Sequence, residues 1–371
     1  MNADKFLDII EDLGGSMYIG VPDSLLSPFI DTVVSKSARH IVAANEGAAV
    51  GLAAGHYLAT SKPAVVYMQN SGLGNAVNPI CSLLHKKVYQ IPAIFVIGWR
   101  GEPGVKDEPQ HVFQGEITLK LLDMLEIPYI VVSKDCDDLS ETVEFFRMFL
   151  KNGQSVAFVI QKDALTAEVK VEYGSDAELS REETLETILE AGGTENDIFV
   201  CTTGKLSREV FEIREKQGIG HGFDFLTVGS MGHSLMIALG IAQAKPEKRV
   251  FCLDGDGAVL MHMGSLAVTG ANKPANLVHI MINNGAHETV GGLPTPSAHI
   301  SFAQTAKTLG YTKTVRVTSK EQLSEVMQAL RADAAGPVFI EVMCNLKSRS
   351  DLGRPTIAPG ENKLALMENL K

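Results

Sequence analysis

Short apolar runs alternate with segments of helical periodicity along the 371 residues. In the first half the runs are Met17–Ile19, His40–Ala43, Ala64–Met68, Ala93–Ile97, Ile130–Val132 and Val156–Ile160. Between them, stretches such as Glu46–Ala59 and Ile117–Leu125 space apolar residues three and four apart, as one face of a helix requires. Runs this short and this continuously apolar suit strands buried on both faces, and their alternation with helices predicts a doubly wound parallel sheet. Between 166 and 183 the chain turns polar and charged, with Glu168, Lys170, Glu172, Gly174, Asp176, Glu178 and Arg181, which predicts a linker. The alternation then resumes with Ile198–Cys201, Phe225–Val228, Arg249–Leu253, Leu277–Ile282, Thr312–Val317 and Val338–Val342. The expected architecture is therefore two α/β domains, 1–165 and 184–371, of similar size and element order but without a residue-level repeat. A polar tail, 345–371, carries Lys347, Arg349, Arg354 and two prolines, and is expected to pack over a neighbouring surface or to be partly disordered.

Composition narrows the function classes. A net charge of −11 argues against nucleic acid or an anionic membrane as partner, and requires a locally positive pocket for any anionic substrate. No apolar run reaches the length of a membrane span, and the first residues start as an amphipathic helix without a signal pattern. The five cysteines, Cys81, Cys136, Cys201, Cys252 and Cys344, are scattered and form no Cys-x-x-Cys pair. They are expected to be buried thiols of a reducing cytoplasm.

The stretch from Leu253 to Thr295 holds the most specific chemistry. The first run ends in Gly255-Asp256-Gly257-Ala258, and after 25 intervening residues the next ends in Asn283-Asn284. A carboxylate, an amide oxygen and a backbone carbonyl at two strand ends meet the demand of Mg²⁺ for a few protein oxygens, with water and phosphate supplying the rest. The glycines allow the backbone to approach a phosphate, and a helix expected to open near Met263 would direct its amides towards it. His287 and Glu288, just beyond, are placed to act as proton donors near a reacting carbon. Glu46 begins a helix of small residues, where the macrodipole alone would favour a carboxylate. Asp23, in Pro22-Asp23-Ser24, has the chemistry of a helix cap, and its second reading comes from the resemblance described below. A glycine- and proline-punctuated loop, Gly98 to His111, carries the only tryptophan and two cations, Arg100 and Lys106. Loops at the carboxyl ends of parallel strands are where such folds hold ligands, although a solvated loop has the same composition.

Gly255-Asp256-Gly257 with Asn283-Asn284 resembles the diphosphate-metal motif of thiamin-diphosphate (ThDP) enzymes. Asn45-Glu46-Gly47-Ala48-Ala49 is similar to the activating-glutamate segment of the ThDP decarboxylases. Within that group the chain most resembles the phosphonopyruvate decarboxylase family, and slightly less the sulfopyruvate decarboxylases. The resemblance rests on Gly20-Val21-Pro22-Asp23-Ser24-Leu25-Leu26, on Gln69-Asn70-Ser71-Gly72-Leu73-Gly74-Asn75, on Trp99 to Glu108 and on the metal segment. It implies a pyrimidine-binding domain (1–165) followed by a diphosphate-binding domain (184–371) with the tail. It implies Mg²⁺ held by Asp256, Asn284 and the Ala286 carbonyl. It implies that Glu46 bonds N1′ of the aminopyrimidine, favouring the imino tautomer that takes the C2 proton. Met231 would wedge the cofactor into a bend, the Gly229 carbonyl would accept from its 4′-amino group, and Ser71 would border the pyrimidine. Thr203, Gly204, Gly255, Gly257 and Ala258 would line the diphosphate, and Asp23 would be a substrate-facing acid, an alternative to the plain cap. Independently of the resemblance, an acidic chain needs placed cations for a substrate's second anion, and Lys106 and Arg100, in the loop after the fourth strand, are the candidates. The larger ThDP decarboxylases carry a His-His pair after the fourth strand; this chain has none there.

The function implied is decarboxylation of 3-phosphonopyruvate to phosphonoacetaldehyde and CO₂, a step of phosphonate biosynthesis. The enzyme would be cytoplasmic and at least a homodimer, with Glu46 and Asp256 of different subunits serving one cofactor. Sulfopyruvate is the alternative substrate. Two further alternatives are an NAD-dependent oxidoreductase, for which no strand–Gly-x-Gly-x-x-Gly–helix appears, and a non-catalytic ThDP-binding protein, which would be expected to lack Glu46.

Overall fold

The computed structural model describes residues 1–371 except 137, 193, 195, 196, 333 and 334. The chain divides into two units, Met1–Glu172 and Tyr173–Lys371, so the division falls inside the polar stretch 166–183. The first unit contains β1 (Tyr18–Gly20), β2 (His40–Val42), β3 (Ala64–Gln69), β4 (Ala93–Gly98), β5 (Tyr129–Val132) and β6 (Val156–Ile160). The second contains β7 (Ile198–Cys201), β8 (Asp224–Leu226), β9 (Val250–Gly255), β10 (Leu277–Asn283), β11 (Ala286–His287), β12 (Leu293–Pro294), β13 (Lys313–Val317) and β14 (Val338–Met343). All main-sheet strands lie within one or two residues of the apolar runs. The antiparallel pair β11–β12 was not expected, because two-residue strands leave no periodic signal.

Each unit has one six-stranded parallel sheet. Its order is β2-β1-β3-β4-β6-β5 in the first and β13-β14-β10-β9-β7-β8 in the second. Read from β8, the second sheet repeats the first strand for strand, so the duplicated architecture is real at the level of topology. The direction of winding reverses between β1 and β3, and again between β7 and β9. In open α/β sheets the crevice for a ligand opens at that point, beyond the carboxyl ends of the strands.

Burial follows from the sequence pattern. Every residue of β4 and β10 is buried, as strands covered on both faces demand. Phe6, Tyr18, Phe29, Tyr67, Phe146 and Phe158 meet edge to face on one side of the first sheet. Each such side chain, fully buried, contributes about 1.5–3 kcal/mol. Among the described residues no helix is long and apolar enough to cross a membrane.

Two expectations are corrected here, and of the two alternatives for the tail the packed one is observed. Arg181, assigned to the linker, is buried and opens the helix Arg181–Gly192. The tail is ordered by Asn345, whose amide donates to Ala177 and Glu178, by Arg349, paired with Glu182 and Glu212, and by the helix Pro359–Asn369, which buries Asn362 and Leu366. Of the cysteines, Cys201, Cys252 and Cys344 are buried, but Cys81 is exposed and Cys136 half-buried.

Candidate active site

In the first unit, the segments after β1, β2, β3 and β4 carry the candidate residues. Asn45 caps the helix Glu46–Thr60, its side chain accepting from the Ala48 amide at 2.8 Å. That cap fixes Glu46 as the first helical residue, where the positive end of the helix dipole favours its charge. Glu46 is 5% exposed, and its Oε2 accepts from Asn75 Nδ2 at 2.9 Å. Gly72 packs directly on it: a Cβ there would lie 2.5 Å from both Cγ and Oε1 of Glu46.

Asp23 is fully buried and does act as a cap, Oδ2 accepting from the Leu25 amide at 3.1 Å. Its Oδ1 accepts from Gln69 Nε2 at 2.7 Å, and Gln69 Oε1 accepts from Ser71 Oγ at 2.7 Å. Gln69, quoted above only as part of a motif and given no role of its own, thus ties Asp23 to Ser71. Burial pushes the Asp23 carboxyl above the usual carboxylate range, against the opposing pull of Gln69 and Arg100. A buried acid of this kind at a strand end suits proton chemistry, so the cap does not displace the functional reading.

The loop after β4 is more tightly built than a solvated loop. Trp99 is buried and donates from Nε1 to the Gly115 carbonyl at 3.0 Å. Asn70 pins the backbone of Arg100, donating to its carbonyl at 2.9 Å and accepting from its amide at 3.1 Å. Gly101, at φ +68°, lies so close to the start of the next helix that a Cβ would come within 1.8 Å of the His111 carbonyl. Arg100, expected with Lys106 to hold the substrate's second anion, makes a two-pronged pair with Asp107, at 2.7 and 2.5 Å, because Asp107 is folded back onto it and onto the Gly101 amide. Burial raises the Asp107 carboxyl, but Arg100 and the Glu108 and Gly101 amides outweigh it and hold the group well below the usual carboxylate range. Lys106 beside it is exposed.

In the second unit, β9 and β10 run side by side with Gly255 opposite Ile282. Asp256 and the asparagine pair therefore leave adjacent strand ends together. A short helix opens at Asp256 itself, and the helix expected near Met263 follows at Gly264. Asp256 is 2% exposed; its Oδ2 accepts from Thr295 Oγ1 at 2.5 Å, and Thr295 also pairs with Ser297 at 2.7 Å. Neither residue had been singled out, since no local motif marks them. Burial pushes the Asp256 carboxyl up to about 6, against the pull of these hydroxyls.

The two asparagines differ. Asn283 is buried and turned inward, donating to Glu341 at 3.1 Å. Asn284 is half-buried, its Oδ1 accepting from the Ala286 amide at 3.2 Å and its Nδ2 donating to Glu288 at 2.9 Å. Ala286 faces Pro294 across the hairpin, and proline has no N–H with which to occupy the Ala286 carbonyl. A buried carboxylate, an amide oxygen and a carbonyl unclaimed by its opposite residue form a donor set suited to a hard divalent cation, so these residues fit Mg²⁺.

Met231, His287 and Gly257 converge. A Cβ on Gly257 would lie 3.3 Å from Met231 Cε and 3.2 Å from His287 Cε1. Gly229, Ser230 and Gly232 all take positive φ, which bends the chain tightly ahead of the helix Ser234–Ala244. The Gly229 amide donates to Thr203 Oγ1 at 2.9 Å, and Gly204, at φ +99°, precedes the helix that starts at Lys205. Ala258 is buried in the first turn after Asp256.

The two expected proton donors stand differently from expectation. Burial lowers the His287 imidazole to about 4, so it is neutral near pH 7. Burial raises the Glu288 carboxyl, but Arg181 and Lys205 more than offset this and the group ends below its ordinary value. Its surroundings therefore favour the anion, not a proton donor.

Comparison with known proteins gives a consistent result. Residues 2–124 match the thiamine pyrophosphate enzyme N-terminal TPP binding domain, and residues 202–342 match the C-terminal TPP binding domain. The chain is 35% identical to phosphonopyruvate decarboxylase of Streptomyces viridochromogenes, over 94% of this chain and 90% of that one. It is 33% identical to the enzyme of the same name from Streptomyces hygroscopicus, over 97% and 92%. Sulfopyruvate decarboxylase of Methanosarcina acetivorans is 26% identical over 89% and 88%.

Proposed function

The chain belongs to the phosphonopyruvate decarboxylase family of thiamine pyrophosphate enzymes, and from that premise we propose that it converts 3-phosphonopyruvate to phosphonoacetaldehyde and CO₂ with ThDP and Mg²⁺. Family membership replaces the oxidoreductase alternative. When bound, ThDP supplies the electron sink for CO₂ loss, and Mg²⁺ offsets the charge of its diphosphate. Asp256, Asn284 and the Ala286 carbonyl would hold the metal, with Gly255, Gly257, Ala258, Thr203 and Gly204 beside the diphosphate. Glu46, held by Asn75, would offer its carboxylate to the pyrimidine ring, and Met231 and the Gly229 carbonyl would line the cofactor beside it. The buried acid Asp23 and the neutral His287 are the groups best suited to moving protons at the reacting carbon. Lys106, exposed while Arg100 is engaged by Asp107, is the better candidate for holding the phosphonate.

The observation that carries the assignment of residues is the buried Asp256 carboxylate, which accepts from the Thr295 hydroxyl at a strand end beside Asn284. We read the enzyme as at least a homodimer in which Glu46 of one subunit and Asp256 of another serve one cofactor. The test is CO₂ release by the purified protein with ThDP and Mg²⁺, comparing phosphonopyruvate with sulfopyruvate. Preference for phosphonopyruvate supports the proposal. A higher kcat/KM for sulfopyruvate would transfer the chain to the alternative substrate, and release from neither would end the reading.

A further inference from the structure

Behind Asn284 lies a cluster of four charged side chains that the reaction does not use. Arg181, 7% exposed, grips Glu209 through Nε and Nη2 at 2.6 and 2.8 Å, and reaches Glu288 through Nη1 at 2.5 Å. Lys205 Nζ reaches the other oxygen of Glu288 at 3.2 Å and also Ser348 Oγ at 2.6 Å. Two cations thus face two carboxylates and the charges balance. Buried charges persist when paired and hydrogen-bonded in this way, and removing one partner leaves the others uncompensated. The carboxylate of Glu288 is therefore held in one place.

Its Oε2 also accepts from Asn284 Nδ2 at 2.9 Å. An amide's oxygen and nitrogen ends have nearly the same shape, so only its hydrogen bonds decide which way it points. Oε2 of Glu288, already accepting from Arg181, meets Asn284 as an acceptor and so faces the NH₂ end of its amide. The oxygen end must then face the opposite way, towards the Ala286 amide and the side on which a cation would sit.

We propose that Glu288, clamped by Arg181 and Lys205, is a positioning residue that fixes the Asn284 amide with its oxygen towards the metal. This rests on the functional reading above, in which Asn284 is a metal ligand. Groups that orient a ligand from behind typically govern metal affinity by roughly 10- to 100-fold.

The test titrates Mg²⁺ into ThDP-saturated protein by calorimetry, so no turnover is needed. Glu288→Gln places an NH₂ where only an acceptor fits and is expected to weaken Mg²⁺ binding roughly 10- to 100-fold. Asn284→Asp sets two carboxylates face to face and is expected to weaken it also. Combined, the two substitutions exchange donor and acceptor: the glutamine donates, the aspartate accepts, and an oxygen again faces the metal. The double variant should bind Mg²⁺ at least several-fold tighter than either single variant, a recovery that a merely structural role would not produce. Glu288→Gln with parental affinity, or a double variant no better than the singles, overturns the proposal. If Glu288→Gln does not fold, Glu288→Asp carries the same test, since it keeps the charge but is too short to reach both Arg181 and Asn284. Asp256→Ala in the same titration separates the two levels. Loss of Mg²⁺ there with parental binding in the Glu288 variants removes the positioning role alone, whereas parental binding in Asp256→Ala removes the metal site itself.

Discussion

Gly72→Ala tests the placement of Glu46 without touching it. Gly72 has φ −71° and ψ −17°, an ordinary right-handed conformation, so alanine meets no backbone objection. The new Cβ would lie 2.5 Å from Glu46 Cγ and Oε1, where carbon contacts are comfortable at about 3.5–4.0 Å. The carboxylate must therefore retreat by about 1 Å. Folding is hardly affected: a compatible Gly→Ala change gains about 0.4–1 kcal/mol through the unfolded chain, and an off-rotamer glutamate loses about 0.5–1.5. The melting temperature should stay within a few degrees of the parent. Catalysis is another matter, because a 1 Å misplacement of a reacting group costs on the order of 10²-fold. With saturating ThDP and Mg²⁺, kcat for CO₂ release should fall by about that factor. Glu46→Gln should fall at least ~10²-fold, as expected on losing an acid–base group. Since both changes act on one carboxylate, the double variant should be no slower than the slower single. Parental kcat in Gly72→Ala, or losses that multiply in the double variant, would refute the idea that the position of Glu46 controls the reaction.

Asp256→Ala should abolish the rise in melting temperature that ThDP with Mg²⁺ gives the parent, because ligand stabilisation follows [L]/Kd; an unchanged rise would place the metal elsewhere. Mixing inactive Glu46→Gln with inactive Asp256→Ala should restore some activity on subunit exchange, and an active monomer in sedimentation would contradict the shared site. Lys106→Ala should lower kcat/KM for phosphonopyruvate by roughly 10²-fold while pyruvate loses much less, as for one charge-assisted contact to the second anion; equal losses would deny Lys106 that role. Asp107 is depressed in the folded state, so its contribution is complete above its unfolded value near 3.9 and fades as pH falls. The advantage in melting temperature of the parent over Asp107→Asn should therefore be constant above about pH 5 and shrink below about pH 4. A difference that did not change with pH would mean that the Arg100 pair contributes nothing through ionisation.

The strands were legible because a strand covered on both faces needs an unbroken apolar run, and Leu277–Asn283 has one. The candidate metal segment stands out in the sequence because its oxygen donors sit at fixed offsets from two such runs. What stayed hidden depends on contacts between residues distant in sequence. Glu288 looked like a proton donor because Arg181 lies 107 residues away in a stretch whose charges suggested solvent. Nothing local indicates that Asp107 turns back onto Arg100. Gln69, Asn75 and Thr295 are ordinary polar residues until the fold brings Asp23, Glu46 and Asp256 to them.

Two isolated bridges close each unit on itself. Asn2 pairs with Thr166, tying the end of the first unit to its beginning, and Leu179 pairs with Cys344, tying the start of the second to the residue after its last central strand. Among the described residues, no sheet pairing crosses the stretch between Thr166 and Leu179. A reading frame interrupted there would yield two polypeptides, each with a whole six-stranded sheet, and Arg181 would remain with Glu209 and Glu288. For gene architecture, this makes one-chain and two-chain forms of the protein neighbours, separated by a stop and a start codon and not by a change of fold.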